Sequence, residues 1–430
     1  MTETDPVVGD ASAGQGTEMV DVTDAEALAP DSRLIVEQPG LAGAARAFRR
    51  RLAQGELGNL PVMLGIFVIW TVFQFLNSRF LSPVNLTNLM LQIAAVGTIS
   101  VGIVLVLLLG EIDLSVGAVS GLTAAIMAVL NVKHGWSAPA AIAAAIAAGV
   151  AIGMFQGLWI TKLRVPSFVV TLAGLLAWQG ALLYVLGNTG TVNITDKGIT
   201  NLTSTFFSPV TSWLIAIGVM VVYVGSVLLN RRRRSAVGVP LVPMRVVVVR
   251  TVAIAFVVFG ATIMFNRDRG LPLATVLLVG FVVIFDVITR RTRYGRHIFA
   301  VGGNAEAARR AGISVDWVRV SVFALCSGMA AVGGVLAASR LLAVNQSSGG
   351  SDLLLNAIAA AVIGGTSLFG GRGSAWSALL GALVIGSIAN GMDLLNVQSS
   401  VKFMVTGAVL LIAVTIDAVS RRGRETAGRY

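Results

Sequence analysis

Charge is scarce in this chain. Only 12% of its 430 residues are charged, against about 25% in a soluble globular protein, while 55% are hydrophobic and the mean hydropathy is +0.83. That balance excludes a single water-soluble core and points to a polytopic membrane protein. The fold class expected is all-α, because helices satisfy their own backbone polar groups in lipid. Cysteine is nearly absent too: Cys326 stands alone, so no intrachain disulfide is possible, and its apolar surroundings suit a small buried filler. The two histidines, His134 and His297, fall in different loops with no metal-ligand spacing, so no metal is expected. No Ser/His/Asp cluster has a local signature, and no Gly-Lys pair occurs anywhere, which excludes a Walker A phosphate loop. If this chain takes part in transport that uses ATP, another chain must hydrolyse it. Any ATP and Mg would be bound by another chain.

About twelve apolar runs are long enough, or nearly so, for the ~20 residues that cross a bilayer. They are Leu60–Leu76, Leu89–Leu109, Leu114–Val132, Ala138–Ile160, Ser167–Gly187, Ser212–Leu229, Val246–Phe265, Leu271–Thr289, Val318–Leu341, Leu353–Phe369, Ser374–Gly391 and Val401–Ile416. Because Leu114 follows Leu109 so closely, a broken or re-entrant helix is an alternative there. The organisation expected is a tail over 1–58, acidic then basic and mostly disordered, a membrane domain over 59–419 and a basic tail over 420–430. The acidic start lacks the basic and apolar regions of a signal peptide, so it is expected to stay on the mature protein.

The net charge of +11 needs no nucleic acid to explain it. With the N-terminus inside, all the basic residues fall on the inner side except Arg79, Lys133, Lys197, Arg267, Arg269, Arg340 and Lys402. This asymmetry predicts both termini in the cytoplasm, with arginines flanking the lipid.

It also predicts a cytoplasmic excursion over 290–318, RRTRYGRHIFAVGGNAEAARRAGISVDWV. Asn304 suits an N-cap, Glu306 the first turn, Arg309 and Arg310 the last turn, and Gly312 a left-handed stop. A short helix over Ala305–Ala311 follows. Its Ala307, Ala308 and Ala311 share one side, a smooth face backed by charge. So short a helix needs something to dock against, and the alternative is a solvated loop whose arginines only orient the protein.

Two further stretches carry polar groups. GEIDLSVG places Glu111, Asp113 and Ser115 between apolar runs, where a carboxylate is costly unless it faces water or a partner. They line a path for a hydroxylated substrate, or Asp113 caps a helix starting at Leu114. Asn390 and Asp393, in ANGMDLL, carry the same ambiguity. The paired glycines of GGTSLFGGRGS suit tight packing and a sharp turn.

TRYGRHIFAVGGNAEAARRAGI resembles the cytoplasmic coupling segment of the ribose/xylose/galactose-type sugar permeases of ATP-binding-cassette importers. GEIDLSVG, IAAAVIGGTSLFGGRGS and ANGMDLL resemble further motifs of that family, in family order. The resemblance implies a permease that translocates a monosaccharide beside a cytoplasmic ATPase and an extracytoplasmic sugar-binding protein, commonly as a homodimer. It implies ATPase coupling through Arg293, Gly295, Arg296, Gly302, Gly303, Asn304, Glu306, Ala307, Ala308, Arg309, Gly312 and Ile313. The extra length around 212–265 and Glu111 most resemble the xylose branch. Where the family often has Glu-Leu-Asp-Ala-Ile, this chain has Leu354, Leu355, Asn356, Ala357 and Ile358. The alternatives are a branched-chain amino-acid permease of similar type and an ion-coupled secondary transporter.

Overall fold

The computed structural model describes residues 60–187, 190–238 and 241–426, with side chains through residue 412 and at 414 and 415. The tail expected over 1–58 and residues 427–430 lie outside the described residues. In chain order the helices are α1 (Leu60–Leu76), α2 (Pro83–Leu108), α3 (Val116–Val132), α4 (Ala138–Lys162), α5 (Ser167–Leu186) and α6 (Lys197–Ser204). There follow α7 (Pro209–Ala236), α8 (Met244–Asn266), α9 (Leu273–Arg291), α10 (Arg293–Gly303) and α11 (Ala305–Arg310). The last four are α12 (Val315–Leu341), α13 (Ser351–Ile363), α14 (Ala375–Leu394) and α15 (Ser399–Thr426).

Local chemistry starts several of these helices. The Ser82 side chain accepts from Asn85 N and Ser208 accepts from Thr211 N, each just before a proline that opens its helix without wasting a donor. Eight of the helices are long and apolar enough to cross a membrane; Leu60–Leu76, Val116–Val132, Ser351–Ile363 and Ser399–Ile412 are shorter apolar helices. Each apolar run expected from the sequence falls mainly on one of these helices, but the Leu353–Phe369 run is corrected: its helix stops at Ile363, where Gly364 and Gly365 turn the chain into a loop. The Leu89–Val132 stretch forms two helices, α2 and α3, separated by a folded break at 109–115.

Helices α2 and α12 form the centre, packed on each other and on α4, α3, α13 and α14. Small residues permit this. On α4, Gly149 and Gly157 sit so close to α12 that an added Cβ would meet Ser327 O at 2.7 Å and Val320 Cα at 2.7 Å. Small residues at four-residue spacing let helix backbones touch, where packing rather than water drives association. Cys326 of α12 is fully buried, with its backbone against Gly102 of α2. Helices α7 and α8 differ: they pack on one another, and most of their length is exposed apolar surface. The stretch that lengthens the chain is thus a peripheral hairpin.

Two small antiparallel ladders lie at one end of the bundle. Thr191–Asn193 (β1) pairs with Ala343–Asn345 (β4), with Val192 opposite Val344, and Phe206–Phe207 (β2) pairs with Leu271–Pro272 (β3). At the opposite end lie the 109–115 break, α10, α11 and the 364–374 loop.

Candidate functional site

The 290–318 excursion is two helices. Thr292 Oγ1 accepts from Gly295 N at 3.1 Å and opens α10; Asn304 Oδ1 accepts from Ala307 N at 2.9 Å and opens α11. Gly312 turns the chain with φ 82°. Helix α11 ends one residue short of the expected Ala311. Helix α10 is a correction, because the sequence was read as loop there. Its arginines and glycines mask a stripe, Gly295, Ile298 and Val301, that is buried at three-residue spacing. Arg293 and Arg296 are exposed on the other side.

The expected alanine face of α11 is also split. Ala308 is buried in the chain's own core, whereas Glu306, Ala307, Arg309, Arg310 and Ala311 are exposed. The helix lies flat on the bundle and spends one small side chain on that seat. Glu306 pairs with Arg310 at 3.2 Å and Arg309 at 3.5 Å, and Arg309 reaches Asp316 at 3.8 Å. So exposed a set contributes little stability; it shapes a charged outer face around Ala307 and Ala311. Ile313 is half-buried beside the core.

Three motifs far apart in the sequence meet beneath this helix. An added Cβ on Gly302 would overlap the Leu108 carbonyl oxygen and stand 3.0 Å from Gly371 N. Gly371 N donates to that same Leu108 oxygen at 2.9 Å. On Gly370, whose φ is 85°, a Cβ would meet Gly302 O at 2.6 Å and Gly110 N at 2.9 Å. The end of α2, the end of α10 and the 364–374 loop therefore touch backbone to backbone, which only glycine allows. Gly303 is different: nothing lies within 4 Å of its would-be Cβ. Ser374 fastens the same loop to α9, accepting from Arg290 Nη2 at 2.9 Å, and Arg290 pairs with Asp286 at 2.8 Å.

Glu111 leaves this junction to pair with Arg319 of α12 at 3.0 Å, both largely buried. Arg319 was not singled out in the sequence, where it reads as one more flanking arginine. Asp113 is not the N-cap of its helix. The cap position belongs to Ser115, and α3 begins at Val116. Asp113 Oδ1 instead accepts from Ser115 N at 2.8 Å and Ser115 Oγ at 2.7 Å, folding the break back on itself. Ser115 Oγ also lies 2.9 Å from Gln156 Nε2, from which it accepts. Burial pushes the Asp113 carboxyl up from the usual range, against the pull of its Ser115 bonds and of the Cys326 thiol beside it.

Asn390 and Asp393 lie at the other end of the molecule, so the predicted polar residues form two groups. Asp393 pairs with Lys402 and faces out. Asn390 is buried; its Oδ1 accepts from Asn85 Nδ2 at 2.8 Å and its Nδ2 donates to Gln92 Oε1 at 3.5 Å. Gln92 lines a cavity of about 350 Å³ between α2, α3, α12 and α13, beside β4. Gln92 and the other polar lining groups escaped sequence reading because they come from separate segments and match no motif.

Residues 85–414 match the family model for the permease component of the branched-chain amino acid transport system. The chain belongs to this family of membrane permease components. It is 37% identical over 362 residues to the xylose transport system permease protein of Escherichia coli (strain K12), covering 84% of this chain and 90% of the relative. The Haemophilus influenzae xylose transport system permease protein is 34% identical over 371 residues, 85% of this chain and 98% of the relative. The ribose import permease protein of Bacillus subtilis (strain 168) is 34% identical over 364 residues, 84% of this chain and 94% of the relative. No solved structure matches.

Proposed function

We propose that this chain is the membrane-spanning permease subunit of an ATP-binding-cassette importer carrying a monosaccharide, a pentose such as xylose, across a bacterial inner membrane. It crosses the bilayer about twelve times with both termini in the cytoplasm, which puts α10 and α11 inside and the β1–β4 ladder outside. A separate cytoplasmic ATPase binds ATP and Mg, an extracytoplasmic protein delivers the sugar, and two copies of the permease pair. The observation that carries this reading is the all-backbone join of α10 to the end of α2 and to the 364–374 loop, directly beneath an exposed capped helix. A push on α11 has no flexible side chain in which to dissipate, so it reaches the ends of the central helices. That is what a two-state switch driven from outside requires.

The docking face is Glu306, Ala307, Arg310 and Ala311, with Asn304, Gly312 and Ile313 setting the helix in place. Arg293, Arg296 and Arg309 flank it, while Gly295, Gly302 and Ala308 form its seat and Gly303 is the open link to Asn304. Glu111, Asp113 and Ser115 hold the cytoplasmic end of the path in shape; Asn390 and Asp393 belong to its outer end. The sugar assignment rests on the xylose and ribose permeases among the relatives. Deleting 304–312 should abolish co-purification with the ATPase, and labelled xylose uptake should stop with ATP depletion. Retained co-purification, or uptake competed by leucine and not by xylose, would sink the reading.

A further inference from the structure

The cavity beside β4 has a chemical character of its own. Its floor is small and apolar, built by Ala95, Gly121, Ala124, Gly334 and Ala338. Its volume of about 350 Å³ falls within the roughly 300–1,000 Å³ range of small-molecule sites. Around that floor stand Gln92 from α2, Arg340 from the last turn of α12, Asp352 and Asn356 from α13, and Ser347 and Ser348 from the loop after β4. Asp352 and Asn356 are four residues apart and share one helix face.

These groups are largely uncommitted. Among the described residues, no hydrogen bond holds the side chains of Asp352 or Asn356, and Arg340 makes no ion pair within bonding distance, the Asp393 carboxylate acting on it only through space. Gln92 is tied back through its oxygen, which accepts from Asn390, itself held by Asn85. That relay fixes the Gln92 amide so that its Nε2 donors are free. Gln92 and Asn356 are half-buried while Asp352 and Arg340 are exposed to solvent, so the cost of holding a donor or acceptor without a partner falls on the two amides, and such groups are kept where a ligand satisfies them.

We infer that this cavity is a transit subsite for the sugar, in which Gln92, Asn356, Asp352 and Arg340 exchange hydrogen bonds with its hydroxyl groups. The inference rests on the permease reading and its orientation, which opens the cavity to the outside. Each sugar hydroxyl donates and accepts, and this set offers both: amide and guanidinium donors, and carboxylate, amide and hydroxyl acceptors. No aromatic ring lines the cavity. Without a stacking platform the sugar is held by hydrogen bonds alone, loosely enough to leave. Capture then belongs to the delivering protein and passage to this site. The specificity-determining pair is Gln92 and Asn356, whose amides sit deepest, with Arg340 and Asp352 at the mouth.

Thiol labelling of the full importer in cells tests this, with [14C]xylose uptake alongside. The native Cys326 is buried and leaves the background clean. Asn356→Cys should react with a membrane-impermeant charged methanethiosulfonate applied outside, and excess xylose should slow that reaction severalfold while leucine does not. The neighbouring Leu355→Cys, on the exposed apolar side of α13, should not react. Asn356→Ala and Gln92→Ala should each lower xylose uptake about three- to tenfold, the loss of one or two hydrogen bonds, with ATPase co-purification unchanged. Should Asn356→Cys fail to accumulate, Ser348→Cys in the mouth loop gives the same xylose protection. A wild-type chain that binds the ATPase yet carries no pentose sinks the pentose assignment on which this site rests. If wild-type uptake is sound but xylose gives no protection, or leucine protects instead, the cavity assignment alone is wrong.

Discussion

Gly302 and Gly303 are neighbours in one helix end, yet they predict opposite outcomes when each is changed to alanine. On Gly302 the new methyl would overlap the Leu108 oxygen and stand 2.9 Å from the Leu108 carbonyl carbon, where about 3.5–4.0 Å is the comfortable separation. The backbone must retreat by roughly an ångström, an overpacking cost of about 1–3 kcal/mol. Retreat also strains the Gly371 N to Leu108 O bond of 2.9 Å, a loss of about 1 kcal/mol. The gain in helix propensity of alanine over glycine offsets at most about 1 kcal/mol. A net penalty near 2 kcal/mol is roughly a thirtyfold shift in an equilibrium. On Gly303 the methyl meets nothing within 4 Å. Because the outer face of α11 is untouched, Gly302→Ala should still co-purify with the ATPase while xylose uptake falls at least tenfold and the solubilised protein melts at lower temperature. Gly303→Ala should match or exceed wild type in all three. Equal uptake and equal melting in the two variants would refute the backbone-join account.

Asn304→Ala removes the cap of α11 and should cost about 1 kcal/mol of local helix stability, read as faster amide exchange over 305–311 and weaker ATPase co-purification; unchanged exchange would refute the capping role. A double-mutant cycle of Glu111→Gln and Arg319→Gln, followed by melting, should give a coupling of about 1–2 kcal/mol, between values for exposed and buried pairs; near-zero coupling would show the pair is idle. Asp113→Asn should raise thermal stability, more so at pH 8 than at pH 5. Burial lifts the folded carboxyl above its unfolded value, so the cost is absent below the unfolded value, grows as pH rises from the unfolded toward the folded value and is complete above it. A stabilisation that is larger at pH 5 would reverse that assignment.

Most of the helical framework was legible because span length and hydrophobicity in lipid leave little choice. The cap at Asn304 was legible too, being a local matter of one side chain and one donor. Helix α10 was hidden because its buried stripe is only three residues wide and interleaved with arginine and glycine. The inward turn of Ala308 was hidden for another reason: which alanine of a short helix is seated depends on the surface beneath it. The meeting of Gly110, Gly302 and Gly370 depends on contacts across more than two hundred residues, and glycine in a membrane chain signals only that something comes close. Arg319 looked like an orienting charge until Glu111 stood next to it. The cavity, assembled from single polar residues on different helices, has no linear pattern at all.

The β1–β4 ladder has a mechanical consequence. It stitches the chain after α5 to the chain after α12, although α5 packs chiefly on α3 and α4. Two rods fastened at one tip move most cheaply by swinging about the fastening. Their far tips can separate while this corner stays shut. Since Ala343 and Asn345 of the same stitch border the cavity, the pivot and the rim of the entrance are one piece of chain.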